Sequence, residues 1–129
     1  VLMEAYWPGP LTLVLPAGAK LPVSVTAGTG TVGVRHTSCG PLAELLRHTG
    51  PLTGTSANRS GEPPVRTAAA VEQTLGGMVD VIVDGGTTPG GLASTVLDVC
   101  DGVRMVREGP IDRQMLEQTL TARGFHLKS

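Results

Sequence analysis

Glycine and proline constrain this chain more than any other residue types. There are 18 glycines and 10 prolines among 129 residues. Proline withholds a backbone N–H, and glycine readily adopts the conformations of tight turns, so long uninterrupted helices and strands are disfavoured. The glycines follow no G-x-y period, which excludes a collagen-like chain. The sequence therefore predicts many short elements joined by turns.

The composition permits a packed core but not a strongly nucleic-acid-binding surface. Hydrophobic residues make up 40% of the chain and charged residues 16%, in a length that suits one domain. The net charge is −1, and there is one Trp, one Tyr and one Phe. Binding of nucleic acid through phosphate neutralisation or base stacking is therefore disfavoured.

The cysteines and the hydropathy pattern indicate in which cellular compartment the protein is expected. Cys39 and Cys100 lack the spacing of a zinc site or a disulfide framework, so we expect buried or half-buried thiols. No apolar run approaches the length of a membrane span, and the first residues do not resemble a signal peptide. We expect a cytoplasmic protein that does not contact a membrane.

Propensities, caps and breakers predict strands and helices in irregular alternation. Strands are predicted over residues 11–15, 22–26, 31–35, 51–55, 78–83, 94–99 and 103–107. The end of a helix is predicted over 1–5, and helices over 41–48, over 68–75 after the cap Thr67, and after the cap Asp112. This order predicts an α/β fold, a twisted sheet of mixed strand direction with flanking helices.

Two short motifs are weak on inspection. Residues 28–33 match the G-x-G-x-x-G string of dinucleotide sites, but strand rather than helix follows. We therefore interpret them as part of a hairpin, in which residues 27–30 form the turn between the strands 22–26 and 31–35. Ser56 lies in G-T-S-A-N, one residue short of the G-x-S-x-G nucleophile motif, and no S-x-x-K occurs. No catalytic nucleophile and no metal site are predicted.

Five segments in a fixed order resemble the signatures of one family. They are YWPGPLT at 6–12, VGVR at 32–35, PLTGTSANRSGEP at 51–63, the DGG, GG and STVLD strings within 84–98, and VREGPI at 106–111. Together they are similar to the YrdC-like family of threonylcarbamoyl-AMP synthases. The resemblance implies a twisted α/β sheet with a concave, partly basic face. It also implies synthesis of threonylcarbamoyl-AMP from L-threonine, bicarbonate and ATP, with transfer proteins then modifying tRNA.

The resemblance also implies which residues bind the substrates. L-threonine is expected to contact Arg35, Ser56 and Ser94, and ATP, accompanied by Mg2+, to contact Thr31, Asn58 and Arg107. No catalytic residue is expected, since adenylyl transfer relies mainly on positioning and on cations that stabilise phosphate charge. Arg104 is an alternative to Arg107. Arg66 stands where the family generally has Ser or Thr, so no nucleotide contact is assigned to it.

The chief departure from the family lies at the front of the chain. Family members carry a K-x-R motif before the W-P-G-P segment, and nothing here corresponds to it. We therefore expect residues 1–129 to be a YrdC-like domain lacking its N-terminal part and, alone, weakly active or inactive. The alternatives are a double-stranded RNA- or tRNA-binding module of the same fold without catalysis, and a related enzyme that uses carbamoyl phosphate.

Overall fold

The computed structural model describes residues 1–128, which divide into two compact units. The first, called here the sheet unit, comprises residues 1–48 and 92–128. The second, the inserted unit, comprises residues 49–91. The inserted unit thus interrupts the sheet unit in sequence.

The sheet unit contains one five-stranded sheet in the order β2-β1-β3-β4-β5. The strands are β1 (Leu11–Pro16), β2 (Thr31–Val34), β3 (Thr95–Asp98), β4 (Val103–Arg107) and β5 (Leu127–Lys128). β1 pairs antiparallel with β2 and parallel with β3, β3 pairs antiparallel with β4, and β4 pairs parallel with β5. The predicted sheet of mixed direction is confirmed, whereas β5 was not predicted.

Alternation along the central strands gives the sheet one buried face. Leu11 lies opposite Thr95, and Leu13 opposite Leu97, so these side chains lie on the same side. All four are buried, together with Ile111. Each leucine buried in this way stabilises the fold by about 2 kcal/mol relative to exposure. The residues between them, Thr12 and Val96 among them, face the other side of the sheet.

Two helices cover the buried face. They are α1 (Leu2–Tyr6) and α5 (Arg113–Thr121). α5 begins as predicted, because the Asp112 side chain accepts a hydrogen bond from the Met115 N–H at 2.8 Å. It buries Leu116 and Leu120, and the Tyr6 hydroxyl donates to the Met115 carbonyl at 3.0 Å. Neither of these helices covers the opposite face of the sheet.

The strand predicted over 22–26 is wrong. These residues form α2 (Val23–Thr26), a single helical turn. Its polar groups are satisfied locally, by the Val25 N–H donating to the Pro22 carbonyl at 3.0 Å and the Thr26 hydroxyl to the Val23 carbonyl at 3.2 Å. The predicted hairpin is therefore also wrong, since the antiparallel partner of β2 is β1.

The inserted unit has one predicted helix and neither of its predicted strands. α4 (Ala68–Leu75) is capped as expected by Thr67, whose hydroxyl accepts from the Ala70 N–H at 3.2 Å. Residues 51–55 and 78–83 form no strand, and Leu52, Val81 and Val83 are exposed. Valine-rich segments favour extended backbone, but a strand also needs a neighbouring strand, and the described residues offer these two segments none. The preceding helix, α3 (Gly40–Thr49), agrees closely with its prediction.

The thiol prediction is wrong as well. Cys39 and Cys100 are both free, and both are exposed rather than buried. Cys100 lies in the turn after β3, with its Sγ 3.7 Å from the Val14 carbonyl oxygen. Among residues 1–128, no helix has the length and apolar character needed to cross a membrane.

Candidate functional site

The open face of the sheet brings together residues from four neighbouring strands. We define the open face by Thr12 on β1, Gly33 on β2, Ser94 immediately before β3, Val96 on β3 and Arg107 on β4. Thr12 faces this side because its neighbours in β1 turn into the core. Val96 and Arg107 are paired across β3 and β4, so they share that side.

A hydrogen-bonded cluster lies on the open face where β3 begins and β4 ends. The Thr12 and Ser94 hydroxyl oxygens are 2.8 Å apart. Arg107 donates from Nε and Nη2 to the Ser94 carbonyl, at 3.1 and 2.9 Å, and from Nη2 to the Ser94 hydroxyl at 3.4 Å. Two predicted site residues, Ser94 and Arg107, are thus in direct contact, and the Nη1 group of Arg107 takes no part in these bonds.

A bulge in β4 places Arg107 on the open face. Leu97 pairs with Met105 and Val96 with Arg107, so Val106 is an extra residue in the ladder. Without it, Arg104 and Arg107, three residues apart, would lie on opposite faces of the sheet. With it, both lie on the same side.

The two β4 arginines differ in their partners. Arg104 Nη2 lies 2.9 Å from the Asp98 carboxylate. The pKa of Asp98 is lowered, first by the backbone N–H of Cys100 and next by Arg104. Arg107 forms no ion pair with any carboxylate of residues 1–128, so it is the better candidate for an anionic ligand.

The backbone that carries Ser94 is held by a buried hydroxyl. Thr95 is fully buried, and its Oγ1 donates to the Ile111 carbonyl at 2.7 Å. The same oxygen accepts from the N–H groups of Gly109 and Ile111, at 3.0 and 3.1 Å. Any Cβ at position 109 would lie 2.2 Å from the Ala93 carbonyl oxygen, so only glycine fits there. These contacts fix the start of β3 against the segment after β4.

The edge strand β2 supplies two more predicted residues. Arg35 directly follows β2. The last pair between β1 and β2 at this end is Leu13 with Val34, so extending the register by one residue would place Arg35 opposite Thr12. The next residue is fixed by a hydrogen bond from the Gly9 N–H to the His36 carbonyl at 2.9 Å. The Arg35 guanidinium is exposed and has no hydrogen-bond or ion-pair partner within residues 1–128. Thr31 lies at the other end of β2, with its hydroxyl 3.0 Å from that of Thr29.

Ser56 and Asn58 lie together in a loop of the inserted unit. The Asn58 N–H donates to the Ser56 carbonyl at 3.1 Å, and Asn58 Nδ2 to the Arg59 carbonyl at 2.8 Å. Asn58 Oδ1 is buried and accepts no hydrogen bond from the described residues. A buried acceptor without a donor costs free energy, which makes Asn58 Oδ1 a candidate acceptor for a ligand N–H. The assignment of Ser56 and Asn58 to the substrates stays a prediction.

A groove in the inserted unit is a less suitable nucleotide site. It has a volume of about 650 Å³ and lies between α4 and residues 79–84. Three carboxylates, those of Glu72, Asp80 and Asp84, line it, and they would repel a triphosphate. None of the six predicted site residues lines this groove.

Two residues have roles that sequence reasoning did not assign. Arg66 donates from Nε and Nη2 to the Thr88 carbonyl, at 2.9 and 2.7 Å, and so joins two segments of the inserted unit. Thr12 was noted only as the last residue of YWPGPLT. Its signal was present in the sequence, since a polar residue between Leu11 and Leu13 in a short strand faces away from the core.

The chain is similar in sequence to a family model and to curated proteins of one activity. Residues 1–109 match the model of the Sua5/YciO/YrdC family, which carries the description "Telomere recombination". The chain is 39% identical over 122 residues to the threonylcarbamoyl-AMP synthase of Bacillus subtilis, covering 92% of this chain and 35% of the relative. It is 43% identical over 101 residues to that of Thiobacillus denitrificans, covering 78% of this chain and 53% of the relative.

Solved structures share the fold. A structure described as Pyrococcus abyssi Sua5 complexed with L-threonine superposes with a TM-score of 0.87 at 32% identity, over 98% of this chain and 37% of that one. The Escherichia coli YciO structure superposes with a TM-score of 0.74 at 28% identity, over 86% of this chain and 55% of that one. The chain thus spans between a third and just over half of the proteins it matches here. With the family model covering most of its length, it belongs to the Sua5/YciO/YrdC family.

Proposed function

We propose that this chain supplies L-threonine- and nucleotide-binding residues of a threonylcarbamoyl-AMP synthase. The reaction joins L-threonine, bicarbonate and ATP and releases pyrophosphate. The observation that carries the proposal is the contact between Ser94 and Arg107 on the open face, in a chain 39% identical to a protein named for this activity. A hydroxyl and a cation without a carboxylate partner are suited to an amino acid and a phosphate.

The threonine-binding part of the proposal involves three residues. Arg35 binds the substrate carboxylate, since an unpaired guanidinium can donate two parallel hydrogen bonds to it. Ser94, immediately before β3, and Ser56 are proposed to contact the same amino acid, as the family resemblance implies. A solved relative described as complexed with L-threonine supports this choice of ligand.

The nucleotide-binding part involves Arg107, Asn58 and Thr31. Arg107 retains N–H groups for a phosphate oxygen, and Asn58 Oδ1 accepts an N–H from the nucleotide. Thr31 contributes a hydroxyl at the far end of β2. The amine of L-threonine joins the carbon of bicarbonate with loss of water and gives a carbamate. An oxygen of this carbamate attacks the α-phosphorus of ATP, and the bond to the oxygen of the leaving pyrophosphate breaks. Arg107 would stabilise the negative charge that moves onto the phosphates.

Mg2+ is proposed to arrive bound to ATP. Within residues 1–128 no three His, Cys, Asp or Glu side chains are grouped as a metal site. Magnesium is commonly held by substrate phosphates together with water and few protein ligands, which suits this donor set. The product would pass to transfer proteins that modify tRNA, and we place that reaction in the cytoplasm.

The test is calorimetric titration of L-threonine into the chain, with Arg35→Ala as the key variant. Loss of a charged, two-pronged contact should weaken L-threonine binding at least about tenfold. Arg113→Ala, which removes an exposed arginine on α5, is the matched control and should bind as the wild type does. Equal binding by Arg35→Ala would contradict the assignment.

Measurements of pyrophosphate release and of RNA binding distinguish an enzyme from an RNA-binding module. We expect the chain alone to release pyrophosphate weakly or not at all from ATP, L-threonine and bicarbonate. Binding of double-stranded RNA with a steep salt dependence, and no affinity for L-threonine, would favour the RNA-binding alternative. Pyrophosphate release that needs carbamoyl phosphate and not L-threonine would favour the related enzyme.

A further inference from the structure

We infer that Thr12 is a positioning residue that sets the direction in which the Ser94 hydroxyl donates. The inference rests on the proposed function and adds a residue to it. It starts from the 2.8 Å separation between the two hydroxyl oxygens, which lie 82 residues apart in sequence.

Each lone pair of the Ser94 hydroxyl oxygen is assigned one hydrogen-bond donor. A serine hydroxyl has one O–H and two lone pairs. Arg107 Nη2, at 3.4 Å, can only donate, so it occupies one lone pair of Ser94 Oγ. Either hydroxyl could donate across the 2.8 Å contact, and we assign the donor role to Thr12 and the acceptor role to the second lone pair of Ser94 Oγ. Ser94 is then left with its own O–H, which is available to a ligand oxygen.

The surroundings of Thr12 keep it in place. Its Cγ2 methyl lies beside Gly33 on the adjacent strand, where an added Cβ would come within 3.3 Å. Thr12 and Ser94 are both partly buried, so water competes less for their hydroxyls than at a fully exposed position. The methyl therefore directs the Thr12 hydroxyl toward Ser94.

This arrangement matches the proposed substrate. A carboxylate only accepts hydrogen bonds, and the hydroxyl of L-threonine can accept one. A Ser94 O–H that is held as a donor can serve either oxygen, whereas a freely rotating hydroxyl must first be ordered, at a cost in binding free energy. Thr12 thus acts on the substrate through Ser94 and not by direct contact.

The test compares Thr12→Val with Thr12→Ser. Valine keeps the methyl beside Gly33 and loses the hydroxyl, so L-threonine affinity should fall about fivefold, the effect of one hydrogen bond. Thr12→Ser keeps the hydroxyl and should restore affinity to within about twofold. Thr119→Val, which removes a paired hydroxyl on the opposite side of the sheet, should leave affinity unchanged.

A spectroscopic measurement makes the inference independent of ligand binding. NMR couplings that report the Ser94 χ1 angle should show one rotamer in the wild type and averaging in Thr12→Val. Unchanged couplings, or unchanged affinity in a folded Thr12→Val variant, would overturn the inference. A wild-type chain that binds no L-threonine would instead contradict the proposed function, while the couplings would still decide whether Thr12 orients Ser94.

Discussion

Two arginines on β4 illustrate how a partner determines what a side chain can do. Arg104 is paired with Asp98 at 2.9 Å, while Arg107 donates to a neutral carbonyl at 2.9 Å and keeps its positive charge uncompensated. Their sequence contexts are similar, and Arg104 was an alternative for the same role. The distinction comes from Asp98 on the adjacent strand, which sequence spacing alone does not pair with either arginine.

The Asp98 carboxylate should give the fold a specific sensitivity to acid. Because its pKa is lowered in the folded protein, its stabilising contribution is complete above the unfolded pKa, about 3.9, and is lost as the pH falls through the lower folded value. Asp98→Asn should therefore lose less stability than the wild type between pH 7 and pH 3. Urea unfolding at both pH values measures this, and parallel losses in the two proteins would contradict it.

At the scale of elements, Thr95 connects the start of β3 with the segment that leads into α5. Its buried hydroxyl serves three backbone groups, those of Gly109 and both polar groups of Ile111. The segment between β4 and α5 therefore depends on one side-chain oxygen for its hydrogen bonds. Ser94 directly precedes Thr95, so its position depends on the same hydrogen bonds of the Thr95 hydroxyl.

Thr95→Val should destabilise the protein by about 3 kcal/mol, because the lost hydroxyl leaves buried backbone groups without hydrogen-bond partners. Valine has nearly the same shape as threonine, so the substitution tests the hydrogen bonds and not the packing. Thr95→Ser retains the hydroxyl and should cost about 1 kcal/mol for the lost methyl. Chemical denaturation of the two variants provides the measurement. A loss for Thr95→Val that is no larger than the loss for Thr95→Ser would contradict the role given to the hydrogen bonds.

How far the sequence predicted each element depended on whether its signal was local. The caps Thr67 and Asp112 and the proline-bounded β1 were predicted because neighbouring residues determine them. Residues 22–26 and 78–83 were mispredicted because their β-branched residues indicate extended backbone but say nothing about an available partner strand. The bulge at Val106 was likewise beyond prediction, since it exists only in the pairing of β3 with β4.

The site residues also divide into those that local sequence motifs predicted and those that depend on distant contacts. Arg35, Ser56, Asn58, Ser94 and Arg107 came from short motifs that resemble a family. Thr12 was given no role, because its contact with Ser94 joins residues 82 positions apart. Local patterns name the residue types of a site, whereas the contacts between those residues depend on the complete sheet.

At the scale of the whole molecule, the two units differ in how their backbones are bonded. The sheet unit has continuous ladders from β2 to β5, whereas residues 51–55 and 78–83 of the inserted unit belong to no ladder in the described chain. Backbone amides exchange with solvent more slowly when they are buried and hydrogen-bonded. Backbone amides in the strands of the sheet unit should therefore exchange more slowly than those of residues 51–55 and 78–83 in the inserted unit.

Hydrogen exchange read out residue by residue should separate them. We expect the amide of Leu97, in the middle of the sheet, to exchange at least about a hundredfold more slowly than that of Val81. Leu13 is a second probe in the sheet unit, and Val83 in the inserted unit. Equal protection at Leu97 and Val81 would show that residues 78–83 have partners beyond those described.

The interruption of the sheet unit by residues 49–91 also bears on its synthesis. β1 is translated before the inserted unit, and Leu97 and Leu116, which complete the core around Leu11, are translated only after it. Non-local pairing of this kind cannot form until both partners exist. The nascent β1 thus has to wait, with Leu11 and Leu13 unburied, until translation has passed α5. Chaperones that bind short apolar segments are the natural protection during that interval.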